Sequence, residues 1–100
     1  MANVIPKTVL IVEGDQELAS RHHELLQSAG YRVLRMAGSA EALASRDEFA
    51  VAVIDVQLAD GDGSLLASEL KRRQPDCEII LLSNTVTLES AVAAMQAGAW

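Results

Sequence analysis

Residues 9–15 read VLIVEGD, four apolar residues running straight into two acids with a glycine between them. With Thr8 in front, residues 8–12 (TVLIV) are short, continuous and rich in β-branched side chains. That is the composition of a strand covered on both faces, as in a parallel sheet. A strand of this kind delivers Glu13 and Asp15 to its carboxyl end, where Asp15 is placed to N-cap whatever helix follows.

Working outward, the same alternation of strand and helix continues. Over residues 16–29, Leu18, Leu25, Leu26 and Ala29 recur at helical spacing, and Gly30 stands where a helix would stop. Residues 31–36 (YRVLRM) alternate as a strand does, and Ser39 opens a second helical stretch through Ala40, Ala42, Leu43 and Ala44. Residues 50–56 (AVAVIDV) are apolar except for Asp55, which marks a third buried strand. The turn-rich QLADGDG, residues 57–63, precedes a helix over about 64–73 that Pro75 closes. Residues 78–82 (EIILL) read as a fourth buried strand, 83–87 as a polar loop, and 88–97 as a fourth helix ending at Gly98. Four strands alternating with four helices predict an α/β fold, a parallel sheet with helices on both faces joined by right-handed crossovers. Functional groups in such sheets gather at the carboxyl ends of the strands, where Glu13, Asp15, Asp55 and Ser83 all fall.

The bulk composition narrows the function classes. One hundred residues make a single domain, with residues 1–7 as a flexible lead-in. Half the residues are hydrophobic and only 3% aromatic, so the core is built from Val, Ile, Leu and Ala. Fourteen acids against eight bases give a net charge of −6, which disfavours direct nucleic-acid contact from this domain. The single cysteine, Cys77, cannot close an internal disulfide and reads as a small, partly buried side chain. No apolar run approaches the ~20 residues that span a bilayer. A cytoplasmic protein without membrane contact is the expectation.

Asp55 is the residue most expected to carry chemistry. It ends a strand of Ala, Val and Ile, where desolvation penalises an isolated carboxylate and calls for a cation or a hydrogen-bonding network. If the first and third strands are neighbours, Glu13 joins it, and converging carboxylates form a hard-oxygen site suited to Mg²⁺. Other readings of the acids fail on spacing. Counted from Asp60, an EF-hand loop would need Gly where Leu65 stands and Glu where Lys71 stands. A dinucleotide fingerprint at GDGSLL would need a third glycine where Leu66 stands. A hydrolase with an aspartyl nucleophile would want a second Asp where Gln57 stands. His22 and His23 are neighbours on one helix and point about 100° apart, so they do not chelate one metal together.

The segments VLIVEGD, AGYRVLRMAGSAEAL, VAVIDVQLADGDG, PDCEIILLS and AVAAMQAGA, in this order and spacing, resemble the response-regulator receiver domain of two-component signalling. The resemblance covers almost the whole chain from Thr8 onward. It implies the flavodoxin-like (CheY-like) three-layer fold with strand order 2-1-3-4 and a fifth strand beyond. It also implies a non-enzymatic switch in which Asp55 takes a phosphoryl group from the histidine of a sensor kinase. On the same basis, Glu13 reaches Mg²⁺ through water, Gln57 lends its backbone carbonyl to the metal, and Ser83 supplies the switch hydroxyl. The output passes to an effector domain or protein.

Two positions depart from the family pattern. Gly14 stands where the family usually carries a metal-binding Asp, so Mg²⁺ is expected to bind more weakly, with Asp15 as a substitute ligand if it is not spent on the helix cap. The fifth strand, with its Lys-Pro pair, and the fifth helix would follow Trp100. A chain ending there leaves EIILL as an apolar sheet edge, for which self-association or strand swapping is expected. Gly14 also keeps open a second function, a receiver-like interaction module that signals without phosphorylation.

Overall fold

In the computed structural model, residues 7–83 are described together with Leu88 and Val92. Thr8–Val12 forms β1, and from Val9 to Val12 it is at most 1% exposed, as a strand covered on both faces must be. Gln16–Ser28 forms α1, Arg32–Met36 β2, Ser39–Ala44 α2 and Val51–Asp55 β3. Gln57–Leu58 and Gly61–Asp62 then form β4 and β5, followed by α3 at Gly63–Arg73 and β6 at Glu78–Leu82.

The main sheet is parallel throughout, in the order β2-β1-β3-β6. With β6 as the fourth strand of that sheet, this is the expected flavodoxin-like order. The expected fifth strand lies outside the described residues, as do residues 1–6, the loop at 84–87, and all of the fourth helix apart from Leu88 and Val92. Those two residues are helical and buried.

Because side chains alternate across a strand, one run of apolar residues feeds two cores. Leu10, Val12, Ala52 and Ile54 face α2 and α3, where they meet Ala42, Leu66 and Leu70. Val9, Ile11, Val51 and Val53 face the other way and meet Leu26 of α1 with Leu88 and Val92. The sheet is thus sandwiched between helical layers. Burying each Val, Leu or Ile in them contributes roughly 1.5–3 kcal/mol, the main force that holds the strand tips in place.

The helix boundaries follow local chemistry. Asp15 N-caps α1, with Oδ1 accepting from the Leu18 N–H at 3.0 Å. At the other end Gly30 takes φ +96, its N–H donates to Gln27 O, and the Tyr31 N–H donates to Leu26 O. This paired closure needs a left-handed residue at position 30, which glycine adopts at no steric cost. Asp62 caps α3 through the Ser64 N–H at 2.8 Å.

Three expectations change. QLADGDG is not a plain turn but a hairpin, in which Gln57 pairs with Asp62 and Leu58 with Gly61. EIILL, read from composition as buried and from the resemblance as a sheet edge, is the outer strand among the described residues, with Glu78 exposed and residues 79–81 half-buried. Cys77 is fully buried rather than partly so, and burial pushes its thiol pKa up.

Candidate functional site

The register of the sheet decides which acids meet. Val12 pairs with Ile54, so the next residues along, Glu13 and Asp55, leave neighbouring strands side by side. Glu13 is only 6% exposed, although it is a carboxylate. Its backbone N–H continues the β1–β2 ladder to Met36 O at 3.0 Å, which keeps it at the tip of the sheet. Its carboxylate is near enough to that of Asp55 for the two charges to act on each other. Burial, and then the Asp55 carboxylate, push the Glu13 pKa up, while the Asp15 N–H, donating to Glu13 Oε2 at 3.2 Å, pulls against that rise. Two close carboxylates, one of them desolvated, form a site that gains from a proton or a cation.

Asp55 itself is half-buried. Its Oδ1 accepts from the Gln57 N–H at 2.9 Å, so the loop that follows orients the carboxylate. That loop is closed at its base by the Gly63 N–H donating to Val56 O at 3.0 Å. Gly63 is required there by close approach, since a Cβ at this position would sit 2.1 Å from the Asp55 carbonyl oxygen. The first turn of α3 therefore packs directly on the backbone of Asp55.

On the far side, Asp55 pairs with Leu82, and the Val56 N–H extends that ladder to Leu82 O at 3.1 Å. Ser83 follows Leu82 and is exposed, which sets it at the same end of the sheet one residue beyond the partner of Asp55.

Asp15 and Gly14 behave differently from the pair. Asp15 is exposed and its Oδ1 serves the α1 cap. Among the described residues no three His, Cys, Asp or Glu side chains are grouped to hold a metal ion. Gly14 is exposed, its φ is not positive, and a Cβ there would meet only Ala37 O at an ordinary 3.5 Å. Nothing in the backbone calls for glycine at position 14. What it changes is the donor count.

Asp60 was visible in the sequence only as a failed calcium-loop position, yet it holds two elements together. From the tip of the β4–β5 hairpin its Oδ1 accepts from the Ser39 N–H at 2.9 Å and its Oδ2 from the Ala40 N–H at 3.0 Å. These two bonds hold the Asp60 carboxyl below the usual range. They also replace a local cap, since Gly38 at the N-cap of α2 makes no side-chain bond. The nearest signal in the sequence was Gly38, whose Cβ would lie 2.7 Å from Asp60 Oδ1.

No helix among the described residues is long and apolar enough to cross a membrane. The response regulator receiver domain family matches residues 9–100. The photosynthetic apparatus regulatory protein RegA of Cereibacter sphaeroides is 33% identical over 96 residues, which cover 93% of this chain and 52% of RegA. The transcriptional regulatory protein VxrB of Vibrio cholerae is 32% identical over 96 residues, 96% of this chain and 39% of VxrB. The chain thus spans about half the length of RegA and less of VxrB. Among solved structures, the BeF3-activated DrrB receiver domain superimposes with a TM-score of 0.75 at 26% identity, covering 94% of this chain and 80% of that one. A CheY-like receiver domain protein from Methanospirillum hungatei does so with a TM-score of 0.77 at 28% identity, covering 94% and 77%.

Proposed function

Since the chain belongs to the response regulator receiver domain family, we propose that Asp55 is its phosphoacceptor and that the domain is a stoichiometric switch rather than a turnover enzyme. The observation that carries this reading is the Glu13–Asp55 pair, two carboxylates brought together at the strand tips with Asp55 Oδ1 held by the Gln57 N–H. Family membership does not favour the alternative of a module that signals without phosphorylation.

In the proposed step a carboxylate oxygen of Asp55 attacks the phosphorus of a phosphohistidine on a sensor kinase. The new P–O bond makes an acyl phosphate, the P–N bond breaks, and its electron pair returns to the imidazole nitrogen. The chain's own contribution is positioning. The Gln57 N–H fixes the carboxylate, Gly63 lets α3 pack against its backbone, and the buried core holds the strand tip still. Ser83, at the same sheet end, is the hydroxyl assigned to bond a phosphoryl oxygen once it arrives. The added group brings about two negative charges and new acceptor oxygens to the sheet end where Ser83 stands.

The donor set fits Mg²⁺, because a desolvated carboxylate pair gains from a hard cation and all its donors are oxygens. Glu13, Asp55 and the Gln57 backbone carbonyl would hold the ion, with Asp15 remaining on its helix cap. When bound, Mg²⁺ would offset the negative charge that builds up during transfer. Gly14 withholds one ligand, so affinity is set low.

The donor is read as a sensor histidine kinase in the cytoplasm, and the output as an effector outside these residues. Control of transcription is the output most in keeping with relatives such as VxrB. Incubation with acetyl phosphate and Mg²⁺ tests the reading by intact-mass spectrometry. The protein gains one phosphoryl group and the Asp55→Asn variant gains none. Equal labelling of the two, or no labelling of either, contradicts it.

A further inference from the structure

The geometry points to Asp60 as a positioning residue for Asp55, a strap that ties the phosphorylation loop to the N-terminus of α2. The inference rests on the reading of Asp55 as phosphoacceptor. The strap itself is a structural statement that can be tested apart from that reading.

The loop between β3 and α3 has three anchors. At its base the Gly63 N–H donates to Val56 O, and in its middle Leu58 is 9% exposed against the core of Leu10, Val12 and Ile54. At its tip Asp60 uses both carboxylate oxygens, on the N–H groups of Ser39 and Ala40. The hairpin between these anchors has only two paired positions, Gln57 with Asp62 and Leu58 with Gly61. A two-stranded ribbon that short does not hold its own shape in water. Its geometry therefore depends on the anchors, and the first residue of the ribbon, Gln57, is the one whose N–H holds Asp55 Oδ1.

The helix side of the strap is built to receive it. α2 has six residues and no side chain of its own at the N-cap, and Gly38 leaves the space in which the Asp60 carboxylate sits. Charged acceptors on helix N–H groups form the stronger class of hydrogen bond. A second acid at this helix start supplies an internal control. Glu41 Oε2 accepts from the Ala37 N–H at 2.9 Å, so it steadies the same end of α2 without touching the hairpin.

The test compares Asp60→Ala, Asp60→Asn and Glu41→Ala in the full chain, with two measurements on each. One is the hydrogen-exchange protection of the Gln57 amide. The other is the rate of labelling by acetyl phosphate as Mg²⁺ is varied. Asp60→Ala is expected to strip protection from Gln57 and slow labelling about tenfold, on the scale of modest misplacement of a reacting group. Asp60→Asn keeps one acceptor oxygen and recovers part of both, while Glu41→Ala leaves both at the parental level. Unchanged Gln57 protection in Asp60→Ala overturns the inference, as does an equal loss in Glu41→Ala, which would assign the effect to the helix alone. If the parent takes no label, the phosphoacceptor reading fails, and Gln57 protection in the three variants still decides the strap.

Discussion

The acids at the strand tips and the acids at the helix starts share one end of the molecule and do opposite things. Asp15, Asp60 and Asp62 are exposed, and each accepts from backbone N–H groups at the start of α1, α2 or α3. Their charge is answered by the positive end of a helix, and they stabilise the fold. Glu13 is buried and faces Asp55, a second carboxylate. The difference teaches that the partner, not the residue type, sorts these acids. A carboxylate whose partners are the N–H groups of a helix start is structural, and one that also faces a second carboxylate, as Glu13 and Asp55 do, is left to bind a cation or to react.

The comparison breaks most severely at the point where a helix start touches a strand tip. Gly63→Ala would place its Cβ 2.1 Å from Asp55 O. Overpacking of that kind typically costs about 1–3 kcal/mol. Urea unfolding should show a loss at the upper end of that range, together with loss of acetyl phosphate labelling. Retention of both would mean that α3 does not hold Asp55.

A smaller change sharpens the contrast by adding a third acid to the tip. Gly14→Asp meets no steric objection, because the Cβ has only an ordinary contact with Ala37 O. It is expected to tighten Mg²⁺ binding about tenfold in a calorimetric titration, since affinity at such sites follows ligand charge count. Without metal the third carboxylate adds to the repulsion at the tip, so stability should fall slightly and recover as Mg²⁺ is added. An unchanged affinity would show that position 14 does not look into the site.

The smallest expected effect concerns Glu13 and is one of sign. Its pKa is raised above the ordinary 4.5 by burial and then by Asp55, so the folded state holds that proton more tightly than the unfolded chain does. Its contribution is fully present below the unfolded pKa and is lost as pH rises through the folded one. Glu13→Gln should therefore melt at a higher temperature than the parent at neutral pH without Mg²⁺, with the gap closing in acid. The helix-start acid Asp60, whose pKa is lowered, should behave in reverse. Its contribution is present above the unfolded pKa and fades as pH falls through the folded value, so Asp60→Asn should lose its disadvantage in acid.

What the sequence disclosed follows the same division. The buried strands were legible because covering both faces leaves an unbroken apolar run, and β1 and β3 fall within one residue of their expected bounds. Parallel pairing of those strands then put Glu13 beside Asp55. The β4–β5 hairpin was not legible, because two paired positions leave no periodicity in a string of Gly and Asp. Nor was the Asp60 strap, which joins residues 20 and 21 apart through side-chain oxygens and backbone N–H groups. Gly63 looked like a turn residue, while its reason is close backbone approach, which shows only when the chain is folded. Composition alone read EIILL as buried, while its place as an outer strand among the described residues was foreseen only through the resemblance, which puts a further strand beyond it.

The most direct measurement locates the acyl phosphate among these acids. After labelling with acetyl phosphate and Mg²⁺, borohydride reduces an aspartyl phosphate to homoserine, and peptide mapping finds the converted residue. Conversion at Asp55, with Asp15, Asp60 and Asp62 intact, is the predicted result. Homoserine at any of those three helix-start positions, or at none of the four, would contradict it.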